Sequence, residues 1–191
     1  MVEILVTLFI LTVGLLGVAS LQFVSAFSNA DALHRSQAVL VAQQFSERLR
    51  AAAAPSGEGL TVDNQYFVNN AYNFASLSCD SSALPYECFC LALPASIPNC
   101  LQNQCTSPQL AQFDAYEMSC AVTAAAPSLS ISLTCDDNNA LDAHSCSAGS
   151  RHQIMIAWPV ESWQNHERIL NTECNLNRSD AHDCVTLDLT L

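Results

Sequence analysis

Lysine is absent from this 191-residue chain, and no Cys-x-x-Cys pair occurs in it. Eighteen acids face six arginines, for a net charge of −12. Residues 1–54 hold three acids (Glu3, Asp31, Glu47) and three arginines (Arg35, Arg48, Arg50), so the whole excess lies on residues 55–191. Phosphate backbones repel such a surface, and no nucleic-acid partner is expected. GxSxG, HExxH and phosphate-binding loops are also missing. The histidines (His34, His144, His152, His166, His182) stand near no recognisable nucleophile motif, so neither a catalytic residue nor a cofactor is expected. Glycine and proline are missing between Gly17 and Pro55, and no cysteine precedes Cys79.

What is present begins with one long helix. From Met1 to Phe27 the chain is almost wholly apolar apart from Glu3, and from Asp31 to Ala54 it is amphipathic. A continuous helix over 1–54 would be roughly 80 Å long, more than a small head needs for its own core. Residues 1–21 suffice to cross a bilayer, for which about 20 apolar residues are needed. A basic start and a small-residue cleavage site are lacking, so the segment reads as a retained anchor rather than a signal peptide. Glu3 admits two readings: a carboxylate snorkelling to the headgroups, or an intramembrane charge awaiting a cationic partner. Gly14 and Gly17 miss the GxxxG spacing and lower helix propensity by roughly 1 kcal/mol each, a local weak point.

Residues 24–54 carry the amphipathic half. Ala38, Val41, Phe45, Leu49 and Ala52 recur at helical spacing, with a weaker line through Ala26, Ala30, Leu33 and Leu40. Two apolar flanks suit a helix that touches its own head on one side and other helices on the other; burial in a single large core is the simpler alternative. Asp31–Arg35 and Glu47–Arg50 are spaced as helical ion pairs. Pro55, Gly57 and Gly59 end the helix.

The head, 55–191, contains all ten cysteines: Cys79, Cys88, Cys90, Cys100, Cys105, Cys120, Cys135, Cys146, Cys174 and Cys184. An even number confined to a polar head predicts five disulfides in an oxidising compartment, with a pairing that spacing does not fix. The competing reading is metal ligation by two His-x-Cys pairs, His144 with Cys146 and His182 with Cys184. Residues 56–106 show no sustained period and predict a long loop region stapled by disulfides. Ser107-Pro108 opens a short helix with an inner stripe of Leu110, Phe113, Tyr116 and Cys120. Alternation predicts strands at 128–134, 152–158 and 185–191. Their inner residues are Leu129, Ile131 and Leu133; Ile154, Ile156 and Trp158; and Val185, Leu187, Leu189 and Leu191. The fold class is α+β, an antiparallel sheet covered by the helical stripe. Asp136, Asp137 and Asp142 offer oxygen ligands to calcium or simply line a solvated turn. Asn177-Arg178-Ser179 fits a glycosylation sequon.

Several stretches resemble type IV pilins. Met1-Val2-Glu3-Ile4-Leu5-Val6 is similar to the start of a mature pilin. Val13-Gly14-Leu15-Leu16-Gly17, Arg35-Ser36-Gln37-Ala38 and Phe45-Ser46-Glu47-Arg48-Leu49-Arg50 resemble minor pilins of the PilV type. So do Cys105-Thr106-Ser107-Pro108-Gln109-Leu110-Ala111 with Asp114, and Ile156-Ala157-Trp158. The likeness is strongest over 1–54, moderate over 100–120 and 151–158, and missing over 56–99.

That resemblance implies a pilin fold and a minor subunit acting in pilus assembly, as part of a tip or priming complex, with roles in adhesion or twitching motility. It implies other pilins and minor pilins as partners, and possible contact with a host or surface receptor. The subunit would sit in the inner membrane as a single-pass protein with a periplasmic head, then in the extracellular pilus. It further implies a basic leader ending in Gly, then Phe and one more residue, ahead of Met1, with peptidase cleavage and methylation of that Phe. With this offset Glu3 matches the family glutamate, which neutralises a neighbouring subunit's terminal amine, and Gly14 and Gly17 fall where pilins lose helix on assembly. Two alternatives share the architecture: a pseudopilin of a type II secretion system, and a membrane-anchored extracytoplasmic binding domain. If the cysteines are structural, reduction should lower head stability by a few kcal/mol per bridge in chemical denaturation; equal stability after full reduction would contradict it.

Overall fold

The computed structural model describes residues 2–56, 59–79, 84–139, 141, 144–160, 171–176 and 179–191. The fold is α+β and pilin-like: a long N-terminal helix packed on a C-terminal antiparallel sheet, with five disulfides. Helix α1 spans Val2–Ala52. A short hairpin follows, β1 (Ala54–Ser56) with β2 (Gly59–Thr61), and then helices α2 (Pro85–Phe89) and α3 (Ser107–Ala125). The sheet is β3 (Ser130–Asp136), β4 (Arg151–Pro159) and β5 (His182–Thr190), antiparallel in the order β3-β4-β5. The chain divides into two compact units, Met1–Ser36 and Gln37–Leu191.

In the second unit the expected helical stripe is the centre of the core. Ala38, Val41, Ala42, Phe45 and Leu49 are buried, in one cluster with Ile131, Leu133, Ile154, Ile156, Trp158 and Leu189 of the sheet. Full burial of a side chain such as Phe45 or Leu49 stabilises by about 1.5–3 kcal/mol. Ala52 is partly buried against the same cluster. Leu33 and Leu40, from the weaker line, are exposed. Arg50 pairs with Glu47 at 2.7 Å, as the spacing predicts.

Helix α3 and two strands differ from expectation, and β3 runs Ser130–Asp136 rather than 128–134. Helix α3 has 19 residues and its cap is Thr106, one residue early, because the Gln109 side chain reaches back to accept the Thr106 N–H at 3.0 Å. Its expected stripe faces a second cluster, in which Phe113 and Tyr116 meet Phe74 and Ile97 with Cys120 alongside. The main core instead receives Ala111, Ala115, Met118 and Val122. Strand β5 starts three residues earlier than its alternation suggests, since pairing with β4 runs on to Pro159 opposite His182.

The stretch expected as loop is built of short pieces. Two 3-10 turns, Asn64–Phe67 and Asn69–Ala71, follow the hairpin. They bring Tyr66 and Tyr72 into the main core, where Tyr72 meets Phe45 edge-on at 6.0 Å. Phe74 stacks on Phe89 at 4.7 Å in the second cluster. Gly57 lies outside the described residues.

A three-stranded sheet leaves two edges whose backbone groups must be answered. An asparagine clamps each one. At β3, Asn73 donates from Nδ2 to the Ile131 carbonyl at 2.8 Å, and its Oδ1 accepts the Ile131 N–H at 2.9 Å. At β5, Asn175 does the same for His182, at 3.0 and 2.8 Å. A carboxamide carries both a donor and an acceptor, so it mimics one residue of a missing strand. Asn73 sits at φ 52°, a left-handed conformation that asparagine tolerates better than most residues. Asn73→Ala should destabilise the head by about 2–3 kcal/mol in chemical denaturation, through two lost bonds and left-handed strain. Asn73→Gly should recover only the strain component, and an unchanged Asn73→Ala midpoint would show that the clamp carries no stability.

Candidate assembly surface and the polar sites of the head

The apolar half of α1 is helical throughout, with an 18-residue window of mean hydropathy 2.6 and none of that window buried. By length and composition it is able to cross a membrane. Three of its hydroxyls are answered within the helix: Thr7 donates to the Ile4 carbonyl at 3.0 Å, Thr12 to Phe9 at 2.8 Å and Ser20 to Gly17 at 2.8 Å. These three therefore present no unsatisfied donor to an apolar surrounding. Glu3 lies exposed in the first turn. At Gly14 and Gly17 an added Cβ would meet nothing within 4 Å. No packing contact requires glycine at either position, and the helix passes through both without a break.

Three disulfides brace the region around α2 and α3: Cys79–Cys88, Cys90–Cys120 and Cys100–Cys105. Two brace the sheet, Cys135–Cys146 across the β3–β4 loop and Cys174–Cys184 at β5. All ten cysteines are thereby paired. The two His-x-Cys pairs therefore do not present free thiolates, because Cys146 and Cys184 are each oxidised.

Of the calcium candidates, Asp136 faces Arg151 at 3.8 Å. Asp137 holds its own loop together: Oδ1 accepts from the Ser147 N–H at 3.0 Å, the Ser150 hydroxyl at 3.1 Å and the Asn139 N–H at 3.3 Å. Led by the Ser147 bonds, these donors lower its pKa to about 2. Asp142 lies outside the described residues, as do His166, Asn177 and Arg178. Gly149, at φ 77°, ends the loop and donates its N–H to the Leu191 carbonyl at 3.0 Å.

The polar centre of the head joins residues far apart in sequence. Arg48 of α1 donates to Asp114 Oδ1 of α3 at 2.8 Å, while Asp114 Oδ2 accepts the Tyr66 hydroxyl at 2.6 Å. Tyr72 donates to the Tyr66 carbonyl at 2.7 Å, and Glu117 lies 3.7 Å from Arg48. Asp114 is only 7% exposed, so these two donors answer its carboxylate in place of water. Arg48 and Asp114 both fall in pilin-like stretches, but neither stretch alone signals the pairing. Burial raises the phenol pKa of both Tyr66 and Tyr72 well above the usual tyrosine range, with the Asp114 hydrogen bond and charge adding at Tyr66 and its charge at Tyr72.

Between α1 and β5 runs an open groove of about 580 Å³, lined by Leu40, Gln43, Glu47, Arg50, Leu187 and Leu189. Leu40, an exposed residue of the weaker helical line, forms part of its wall.

The missing lysines and thiols make the tyrosine centre unusually accessible to titration. Above pH 9 no ammonium side chain and no cysteine changes charge, which leaves the four tyrosines. Tyr66 and Tyr72 have raised folded pKa values, so their contribution is complete below the unfolded value near 10 and is lost progressively as pH rises from there toward the raised folded values. Head stability measured by denaturation should fall from about pH 10 upward. Tyr66→Phe should flatten that fall while costing about 1–3 kcal/mol at pH 7 by leaving Asp114 short of a donor. A slope unchanged in Tyr66→Phe would contradict the assignment. Comparison of the chain with protein-family models, with curated proteins and with solved structures gave no match.

Proposed function

We propose that this chain is a structural and assembly subunit of a type IV pilus, a minor pilin that enters the filament or its tip or priming complex through α1. The observation that carries this reading is the division of α1. One unbroken helix supplies a membrane-length apolar half with no buried window and a second half whose stripe is the core of the head. A helix that served only to anchor a domain would not need to be part of that domain's core.

In this reading the subunit waits in the inner membrane with its disulfide-braced head in the periplasm, where an oxidising environment suits five bridges. On assembly, residues 2–36 leave lipid for the company of neighbouring helices, and the exposed line through Leu33 and Leu40 supplies apolar contact. Glu3 then pairs with a cationic group of a neighbouring subunit. An unpaired charge in an apolar filament core is costly, so pairing both favours assembly and fixes axial register. Gly14 and Gly17, unconstrained by packing, make the helix locally cheap to stretch. The acidic head works by contact with other minor pilins or with a surface, and it performs no catalysis.

Glu3→Ala, expressed at normal level and recovered normally in the membrane, should lower incorporation into filaments by at least about tenfold, the equivalent of ~1.4 kcal/mol of association. Wild-type incorporation of Glu3→Ala would rule out charge pairing as the assembly device. Failure of the wild-type chain to co-purify with any pilus would remove the filament reading itself.

A further inference from the structure

We propose that the Cys135–Cys146 pair and His152 form a redox-gated site for a soft divalent metal, zinc(II) by preference, which is closed in the oxidised chain and open in the dithiol form. The sulfurs of Cys135 and Cys146 and a ring nitrogen of His152 all lie within 4.8 Å of one another. The two cysteine Cα atoms stand 5.8 Å apart. Tetrahedral zinc with bonds of about 2.3 Å to each thiolate requires the sulfurs to separate to about 3.8 Å, a side-chain rotation rather than a backbone movement.

His152 is the independent sign of a ligand. It is 1% exposed, and its Nε2 makes no hydrogen bond of ordinary geometry, although the Leu189 carbonyl also acts on the ring. Buried polar atoms are nearly always paired, so an orphan needs an explanation. The other nitrogen, Nδ1, lies 3.2 Å from the Ser150 carbonyl. A proton on Nδ1 donated to that carbonyl leaves the Nε2 lone pair free. That is how metal-ligating histidines are usually oriented. Burial also lowers the imidazole pKa against the opposing carbonyls of Ser150 and Leu189, which disfavours the charged ring. Phe67 packs on the ring at 5.7 Å and limits its rotation. Cys146 and His152 are buried, whereas Cys135 is half-buried.

The chemistry balances with a dithiol reductant. Two electrons and two protons from the dithiol cleave the Cys135–Cys146 bond, giving two thiols and the reductant's own disulfide. Zinc then displaces both thiol protons to solvent and binds two thiolates and Nε2. Reoxidation by a disulfide-bearing partner reverses the sequence and releases the ion. The site would hold the β3–β4 loop closed in a chain not yet oxidised and keep two of its ten thiols from mispairing. It is independent of the filament role.

The test uses the full chain in detergent, reduced with a phosphine, and Co²⁺ as the spectroscopic probe. One equivalent should bind with thiolate charge-transfer absorption and the intense ligand-field bands of a tetrahedral site. Cys135→Ser with Cys146→Ser should abolish that equivalent, and His152→Gln should weaken it about tenfold or more. Cys100→Ser with Cys105→Ser, which removes two other thiols, should leave it intact. The oxidised chain should take up none. Tetrahedral binding that survives the Cys135/Cys146 double substitution would overturn the proposal, as would equal affinity in His152→Gln or no stoichiometric uptake by the reduced wild type.

Discussion

Burial of one stripe of α1 inside the head is the contact on which the rest of this structure depends. Ala38, Val41, Ala42, Phe45 and Leu49 pack in one cluster with the inner residues of a sheet that has three strands among the described residues. A sheet that small cannot bury its inner face alone, and Ala111, Ala115, Met118 and Val122 of α3 join the stripe of α1 in the same cluster. The head is thus an incomplete fold completed by a helix whose first half is apolar and unburied.

Around that contact, polar devices fix the parts that apolar packing leaves free. Arg48 and Asp114 tie α1 to α3 through a partly buried ion pair that Tyr66 completes. Asn73 and Asn175 answer the backbone at the two sheet edges where a further strand would otherwise sit. Asp137 gathers three donors from its own loop, and Cys135–Cys146 spans the same segment. Disulfides matter most in the region around α2 and α3, where short elements and a small second cluster bury little apolar surface. With an acidic head lacking lysine, self-repulsion works against compaction, and covalent links offset it.

The helical stripe and the three strands were legible because burial on one side leaves a period in the sequence. Leu129 to Leu133, Ile154 to Trp158 and Val185 to Leu189 alternate, and their inner faces are those expected. The small-residue face of α3 was not legible: Ala111 and Ala115 contribute little to any hydrophobic pattern, so Phe113 and Tyr116 attracted the assignment. Cysteine pairing was closed to sequence, since ten thiols permit many connectivities. Arg48 and Asp114 are 66 residues apart, and an asparagine that clamps an edge looks like any turn asparagine. His152 left one trace. It shares parity with Ile154 and Ile156, so alternation along β4 by itself puts a histidine on the apolar side of the sheet.

The central claim, that α1 from Ala38 to Leu49 is part of the head's core whereas its apolar start is not, is open to direct measurement. Thermal unfolding should be compared for chains beginning at residue 28 and at residue 50. The first should unfold cooperatively with the midpoint of the full head. The second, stripped of Phe45 and Leu49, should show no cooperative transition and should expose apolar surface to a hydrophobic dye. A chain beginning at residue 50 that unfolds cooperatively at the same temperature would contradict the account.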